Sequence, residues 1–244
     1  MNITTILWAL GGTQFIFLMT ALGASLVFFL RSSEPRFQNL LPSFAGGVMT
    51  AASVWSLLLP AIEQTAGEGM LPPWLPAAAG LLLGALFITA ADAVQGGVAG
   101  KERMLFTAIT LHNIPEGMAV GLAFALAADG DGLAAALALA LGIGVQNFPE
   151  GAAVSLPLRS GGMSRLRAFL WGAASGAVEP LFGMLAVFTA ELARPVMPWL
   201  LSFSAGAMLC VTAHELCPAA RGKAGSLGYI GGFALMMALD VALG

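Results

Sequence analysis

Eight long apolar blocks separated by short polar breaks constrain this chain more than any other feature. They run over about residues 5–30, 41–62, 74–95, 103–127, 133–157, 167–191, 196–217 and 225–243. A helix rises about 1.5 Å per residue, so a block of about 20 residues matches the hydrocarbon thickness of a bilayer. Backbone polar groups inside lipid must pair within the segment, which makes the blocks helices. The solvent-exposed alternative fails on charge. A soluble domain carries about 25% charged residues; this chain has 9%, against 58% hydrophobic. The breaks are Arg31–Arg36 with Pro35, Glu63–Pro73, Gln95–Glu102, Ala128–Gly132, Arg159–Arg165, Ala193–Pro195 and Ala219–Ala224. All are short, so successive helices run antiparallel. The expectation is an all-α integral membrane protein of eight transmembrane helices, with residues 1–244 forming one transmembrane domain.

The basic residues orient it. Arg31 and Arg36 fall in the first break, Lys101 and Arg103 in the third, Arg159, Arg165 and Arg167 in the fifth, and Arg221 and Lys223 in the seventh. Only Arg194 lies elsewhere. Positive charge marks cytoplasmic loops, so both termini are expected outside, extracellular or periplasmic, in a multi-pass protein of the cell inner or plasma membrane. Two outside termini require an even number of spans, in agreement with the block count. The first block lacks a basic leader and exceeds a signal-peptide core in length, so it is read as a retained span. Net charge is −3 with no basic cluster, which argues against nucleic acid as a partner. Cys210 and Cys217 are seven residues apart on one helix. That separates them by about 10 Å, beyond disulfide reach.

Charged groups in mid-membrane are costly and mark function by default. The fourth block contains His112-Asn113-Ile114-Pro115-Glu116-Gly117, and the fifth contains Gln146-Asn147-Phe148-Pro149-Glu150-Gly151. The shared pattern is polar–Asn–apolar–Pro–Glu–Gly, at similar depth in two antiparallel helices. Residues three and four apart share a helix face, so His112, Asn113 and Glu116 point together, as do Gln146, Asn147 and Glu150. Pro115 and Pro149 free the carbonyls of Leu111 and Val145, which are expected beside the ligands. Gly117 and Gly151 are expected to let these two helices approach closely. The sixth block adds Glu179 before Pro180. Three intramembrane carboxylates with no Lys or Arg beside them call for another cation. Imidazole and carboxylate together suit a divalent transition metal, and the motifs contain no cysteine for a thiolate site. A hydrogen-bonded network that only joins helices is the alternative; single Asn or Gln residues do this, whereas three glutamates and a histidine around repeated proline breaks do not fit it.

These paired motifs resemble the signature of the ZIP (Zrt/Irt-like) metal transporters, in particular the GufA-like branch. The run from Gly46-Gly47-Val48-Met49 through Trp55-Ser56-Leu57-Leu58-Leu59-Pro60 and the run Gly176-Ala177-Val178-Glu179-Pro180 resemble that branch too, so the likeness spans nearly the whole chain. It implies a ZIP-type helix bundle that acts as a transporter and not an enzyme. It implies a two-metal centre, with His112, Glu116, Gln146 and Glu150 holding one ion, and Met49 completing that site. Asn113, Asn147 and Glu179 would hold a second, bridged by Glu116 and Glu150. Some members carry aspartate at the position of Asn147, so the second site here has one negative charge fewer. The resemblance also implies an elevator-like motion of spans one, four, five and six against spans two, three, seven and eight. Gly46, Gly47, Ala51, Ala52, Gly80 and Gly84 are small residues on helices that could slide. It further implies a metal exit or secondary site at His214 and Glu215.

Other polar positions are weaker. His214-Glu215-Leu216-Cys217-Pro218 begins like a zinc-protease motif, but Pro218 stands where the second histidine is needed. Asp92 and Glu63 lie near span ends, where they could steer cations or be ordinary interface residues; the latter reading is preferred for Glu63. Asp129 and Asp131 make the fourth break acidic. The third break has no histidine. The expected activity is movement of divalent metal ions into the cytoplasm, zinc first, with iron, manganese or cadmium as further cargo. The metal is substrate, no organic cofactor is expected, and the partners are the metal and the bilayer. Exposed small-residue faces permit a homodimer. An intramembrane metalloenzyme and a metal-gated channel are the competing uses of the same site.

Overall fold

The computed structural model describes residues 3–29, 35–68, 71–95, 98–127 and 131–243. Arg31, Asp129 and the side chains of Asp92, Asp131 and Glu215 lie outside the described residues. The chain is helical throughout, with no strand among the described residues. The first span is α1 (Ile3–Ala24), tightening into a 3-10 turn at Ser25–Phe28. The second is α2 (Pro35–Ala52), a π-helical stretch Ser53–Leu58, and α3 (Leu59–Glu68). Then follow α4 (Trp74–Gln95), α5 (Val98–Leu126) and α6 (Asp131–Ser160). The sixth span is broken into α7 (Arg165–Gly176) and α8 (Val178–Phe188). The seventh is α9 (Ala190–Val211) with a π-helical stretch Thr212–Leu216 and a 3-10 turn Cys217–Ala219; α10 (Gly222–Leu243) is the eighth.

Among the described residues, eight rods are thus observed where eight blocks were expected. Seven are apolar and long enough to cross a bilayer by composition alone. The exception is α5, which carries His112, Asn113, Pro115 and Glu116. Its polarity comes from the candidate ligands themselves. One break falls elsewhere than expected. The chain turns between α8 and α9 at Thr189, whose carbonyl accepts from Leu192 and Ala193 backbone amides at 2.9 and 2.8 Å. Pro195 and Pro198 lie inside α9. Each removes one helical hydrogen bond near the start of α9 without ending it.

The two π-helical stretches share a cause. Each is followed by one residue and then a proline: Leu59 before Pro60, and Cys217 before Pro218. The amide before each proline reaches back five residues, Leu59 to the Val54 carbonyl and Cys217 to that of Thr212. A proline ring clashes with the carbonyl four residues earlier, and a wider turn relieves that clash. The sixth span breaks ahead of Pro180 in the opposite sense, the Ala177 amide tightening onto the Ala174 carbonyl at 3.2 Å.

Glycines set which helices touch backbone to backbone. A β-carbon at Gly23 would overlap the Phe148 carbonyl and one at Gly151 that of Thr20, which joins α1 to α6. Gly117 meets the Glu179 backbone and Gly121 that of Gly183, joining α5 to α8. Gly47 meets the Tyr229 carbonyl and Gly232 that of Phe44, joining α2 to α10. Gly84 meets the Phe203 carbonyl and Gly206 that of Leu81, joining α4 to α9. Two expectations are corrected here. Gly117 and Gly151 do not bring α5 and α6 together; each packs its helix on a different partner. Gly46, Gly47, Gly80 and Gly84 do not face a sliding surface, because they pack against α9, α10 and the turn that follows α9. The contacts thus form four backbone-packed pairs: span one with five, four with six, two with eight and three with seven.

Candidate metal centre

α5 and α6 bring the repeated motifs face to face in the interior. His112 and Asn147 are fully buried, and Asn113, Glu116, Gln146 and Glu150 nearly so. His112 Nε2 lies 3.3 Å from Glu116 Oε1 and 3.2 Å from each oxygen of Glu150. One ligand atom from each of these three residues lies within 4.8 Å of the others. Two ligands about 2.0–2.1 Å from a tetrahedral zinc lie about 3.3 Å apart, so the spacing suits one small dication. Gln146 Nε2 donates to Glu116 Oε1 at 2.6 Å and to Ser56 Oγ at 3.2 Å. Ser56 donates in turn to Asp240 Oδ1 at 2.7 Å.

Beside this triad lies a second group. Glu179 opens the first turn of α8, and the break at Ala177 aims it inward. Its Oε1 accepts from Thr20 Oγ1 at 3.1 Å and from Asn147 Nδ2 at 3.0 Å. Asn147 Nδ2 also lies 3.4 Å from the Ile16 carbonyl. Asn113 Nδ2 donates to the Ser175 carbonyl at 2.9 Å, which fixes its amide against α7. Five acceptor oxygens make no hydrogen bond, Asn113 Oδ1, Glu116 Oε2, Asn147 Oδ1, Glu150 Oε2 and Glu179 Oε2, and neither does His112 Nδ1; Glu150 Oε2 has only the ion-pair contact with His112 Nε2. An unpaired buried polar group costs about 1–3 kcal/mol, and natural proteins leave few of them. Five oxygens together, with no donor to serve them, make a chemistry that cations satisfy.

One proline-freed carbonyl does not join the ligands: that of Leu111 accepts from Ser204 Oγ of α9 at 2.8 Å. Met49 is buried in the main apolar core of α2, where its carbonyl accepts from Ser53 Oγ at 2.7 Å. His214 is exposed in the π-helical stretch after α9, away from the triad in the chain, and the side chain of Glu215 lies outside the described residues. Cys210 and Cys217 are free thiols, as their spacing predicts.

Sequence reading missed Thr20, Ser56 and Asp240. Asp240 had a usable signal, since it is an acid near the end of an apolar block. Ser56 lay inside the Trp55–Pro60 run but had no polar partner in the sequence. Thr20 gave no signal, because a threonine in such a helix ordinarily bonds its own turn, as it does here to the Ile16 carbonyl at 3.3 Å.

A cavity of about 340 Å³ leads from Glu116 and Gln146 past Ser56 and Asp240 to Glu63 and Gln64 at the end of the second span. Glu63, read from sequence as an ordinary interface residue, stands at its mouth. Acids therefore line the route at its exposed end, midway and at the buried triad.

The family model described as ZIP Zinc transporter matches residues 91–240. The zinc transporter ZIP11 of Bos taurus is 36% identical, over 97% of this chain and 97% of its own length. The zinc transporter ZIPB of Bordetella bronchiseptica is 38% identical, over 93% of this chain and 79% of its own. The zinc transporter GufA of Myxococcus xanthus is 36% identical, over 78% and 81%.

Proposed function

This chain belongs to the ZIP zinc transporter family, and from that premise we propose that it carries zinc through the membrane into the cytoplasm by way of the His112–Glu116–Gln146–Glu150 cluster. The observation that carries this reading is the group of five unpaired acceptor oxygens around a buried His–Glu–Glu triad. His112 Nε2, one oxygen of Glu116, one of Glu150 and the amide oxygen of Gln146 supply four ligands for the first ion. An amide turns its oxygen or its nitrogen to a neighbour by a half-turn about its last bond, so Gln146 donates to Glu116 without a cation and ligates with one. Asn113, Asn147 and Glu179 supply a second position, with Glu116 and Glu150 between the two. Thr20 holds Glu179 toward it. Iron, manganese and cadmium share this donor chemistry and are further cargo.

Zinc enters at Glu63, passes Asp240 and Ser56, and meets Glu116 and Gln146. The basic breaks lie in the cytoplasm and both termini outside. The glycine packing favours an elevator-like motion. The four backbone-packed pairs, spans one with five, four with six, two with eight and three with seven, each fall wholly within one of the two sets that such a motion divides, spans one, four, five and six against two, three, seven and eight. Two cavities lie on the seam between the sets. Rigid sets with voids between them can shift without breaking their own contacts.

Uptake of radioactive zinc into proteoliposomes tests the reading. The wild-type chain should show saturable uptake. Glu150→Ala should abolish it, and unchanged uptake in that variant would sink the site.

A further inference from the structure

We propose that a second, purely apolar cavity is a binding site for the acyl chain of a phospholipid. The cavity measures about 550 Å³ and lies between α6 on one side and α2 and α10 on the other. Every side chain that lines it is apolar; Phe44, Phe148, Ala152, Leu156, Leu235 and Leu239 mark its extent. Its depth follows from its neighbours. Phe148 adjoins Asn147 of the buried centre, and Leu239 adjoins Asp240, which accepts from Ser56. From that mid-span level the cavity extends along α2 and α6 to Leu40 and Leu156. Those ends lead into the basic breaks: Arg36 precedes Leu40 by four residues and Arg159 follows Leu156 by three.

Volume, lining and surroundings select the occupant. The volume falls among small-molecule pockets of about 300–1,000 Å³, far above an ordinary packing defect. Water is excluded, because a buried water makes about three hydrogen bonds to polar groups and this lining offers none. The surroundings of a spanning helix at this depth are hydrocarbon, and filling the void with hydrocarbon recovers the dispersion contacts its walls lack. A phospholipid satisfies both ends at once: its chain fits the apolar cleft, and its phosphate meets the basic end of α2 and α6.

The position gives the chain a structural consequence. Phe148, Ala152 and Leu156 occupy the side of α6 turned away from Gln146, Asn147 and Glu150. The cavity also lies between α6 and the backbone-packed pair α2–α10. A lodged chain therefore backs the ligand helix where no helix–helix contact fills the space. The proposal needs only a bilayer-spanning bundle and stands apart from which metal moves.

Photolabelling of the full chain tests it. The protein is placed in nanodiscs of phosphatidylethanolamine and phosphatidylglycerol, doped with phosphatidylglycerol carrying a mid-chain diazirine, and labelled peptides are mapped. Labelling should concentrate on residues 40–45, 148–156 and 235–239, about tenfold above the exposed Leu82, Leu83 and Leu86 of α4. Ala153→Phe fills the cavity from α6 and Leu235→Trp fills it from α10; each should cut labelling of the unsubstituted cavity walls about tenfold and leave α4 unchanged. The second variant serves if the first does not fold. Equal labelling of cavity and α4 would mean annular contact only and would overturn the proposal, as would cavity labelling that survives both substitutions. Zinc titration of the same samples separates the two readings: lost zinc binding with intact cavity labelling faults the metal site alone.

Discussion

Gly151→Ala should damage this protein from a position that is not itself a ligand. A β-carbon there would overlap the carbonyl of Thr20 and come within 2.9 Å of the Ala24 amide nitrogen. Both are helix backbone and cannot swing aside. Carbon and its neighbours settle at about 3.5–4.0 Å, so α1 must retreat from α6 by at least about 1.5 Å. Over-packing of this kind costs about 1–3 kcal/mol. For a chain of this length about 2 kcal/mol corresponds to a fall of about 4–8 °C in Tm. The same retreat carries Thr20 Oγ1, now 3.1 Å from Glu179, beyond hydrogen-bonding distance. Glu179 then loses one of its two anchors, and zinc affinity should fall about tenfold, within the range for second-layer partners of metal ligands. Gly11→Ala is the control, because its β-carbon would meet nothing within 4 Å. The assays are thermal unfolding in detergent micelles and zinc titration calorimetry on the same preparations. If Gly151→Ala matched Gly11→Ala in both Tm and zinc affinity, the backbone contact between α1 and α6 would not exist and the packing argument would fail.

Further outcomes follow from the centre. Glu150→Gln, which removes charge without volume, should weaken zinc binding more than about 100-fold, beyond the loss expected for an outer partner. Ser56→Ala removes the acceptor that Gln146 uses besides Glu116 and should weaken binding about 10–100-fold by the same titration. Asp240→Asn should lower proteoliposome uptake at low zinc while reducing site affinity less than Ser56→Ala does, since Asp240 touches the centre only through Ser56. Ser204→Ala should uncover the Leu111 carbonyl and lower thermal stability by about 1 kcal/mol, with zinc affinity unchanged.

The sequence carried the outline of this molecule for a physical reason. Bilayer thickness turns one-dimensional apolar runs into spans without help from tertiary contacts. The repeated motif likewise placed His112 with Glu116 and Gln146 with Glu150, because four-residue spacing fixes a helix face. What lay beyond one helix was not legible. Nothing in the spacing of Gly117 or Gly151 says which partner fills the groove it opens, and the expected α5–α6 contact became two separate contacts with α8 and α1. The fate of the Leu111 carbonyl depends on Ser204, 93 residues away. Ser56 reaches Gln146 from a helix whose turn is widened before Pro60, a geometry that periodicity does not encode. The break at Thr189 was misplaced because Pro195 reads as a stop in sequence, whereas α9 absorbs it.

The widened turn at Ser53–Leu58 has a consequence for how this chain tolerates changes of length. Such a turn stores one surplus residue. Deleting a single position there would let the rod close into regular helix and keep its overall span, so the protein would still thread the bilayer. The deletion would leave the flanking turns in phase and re-aim only the residues of the widened turn itself, Ser56 among them. Ser56 would then leave the aqueous route while the Glu63 mouth stays in place. A deletion at this point is therefore harmless to topology and ruinous to passage. A one-residue deletion scan, scored separately for membrane insertion and for zinc uptake, would find the two properties parting company here.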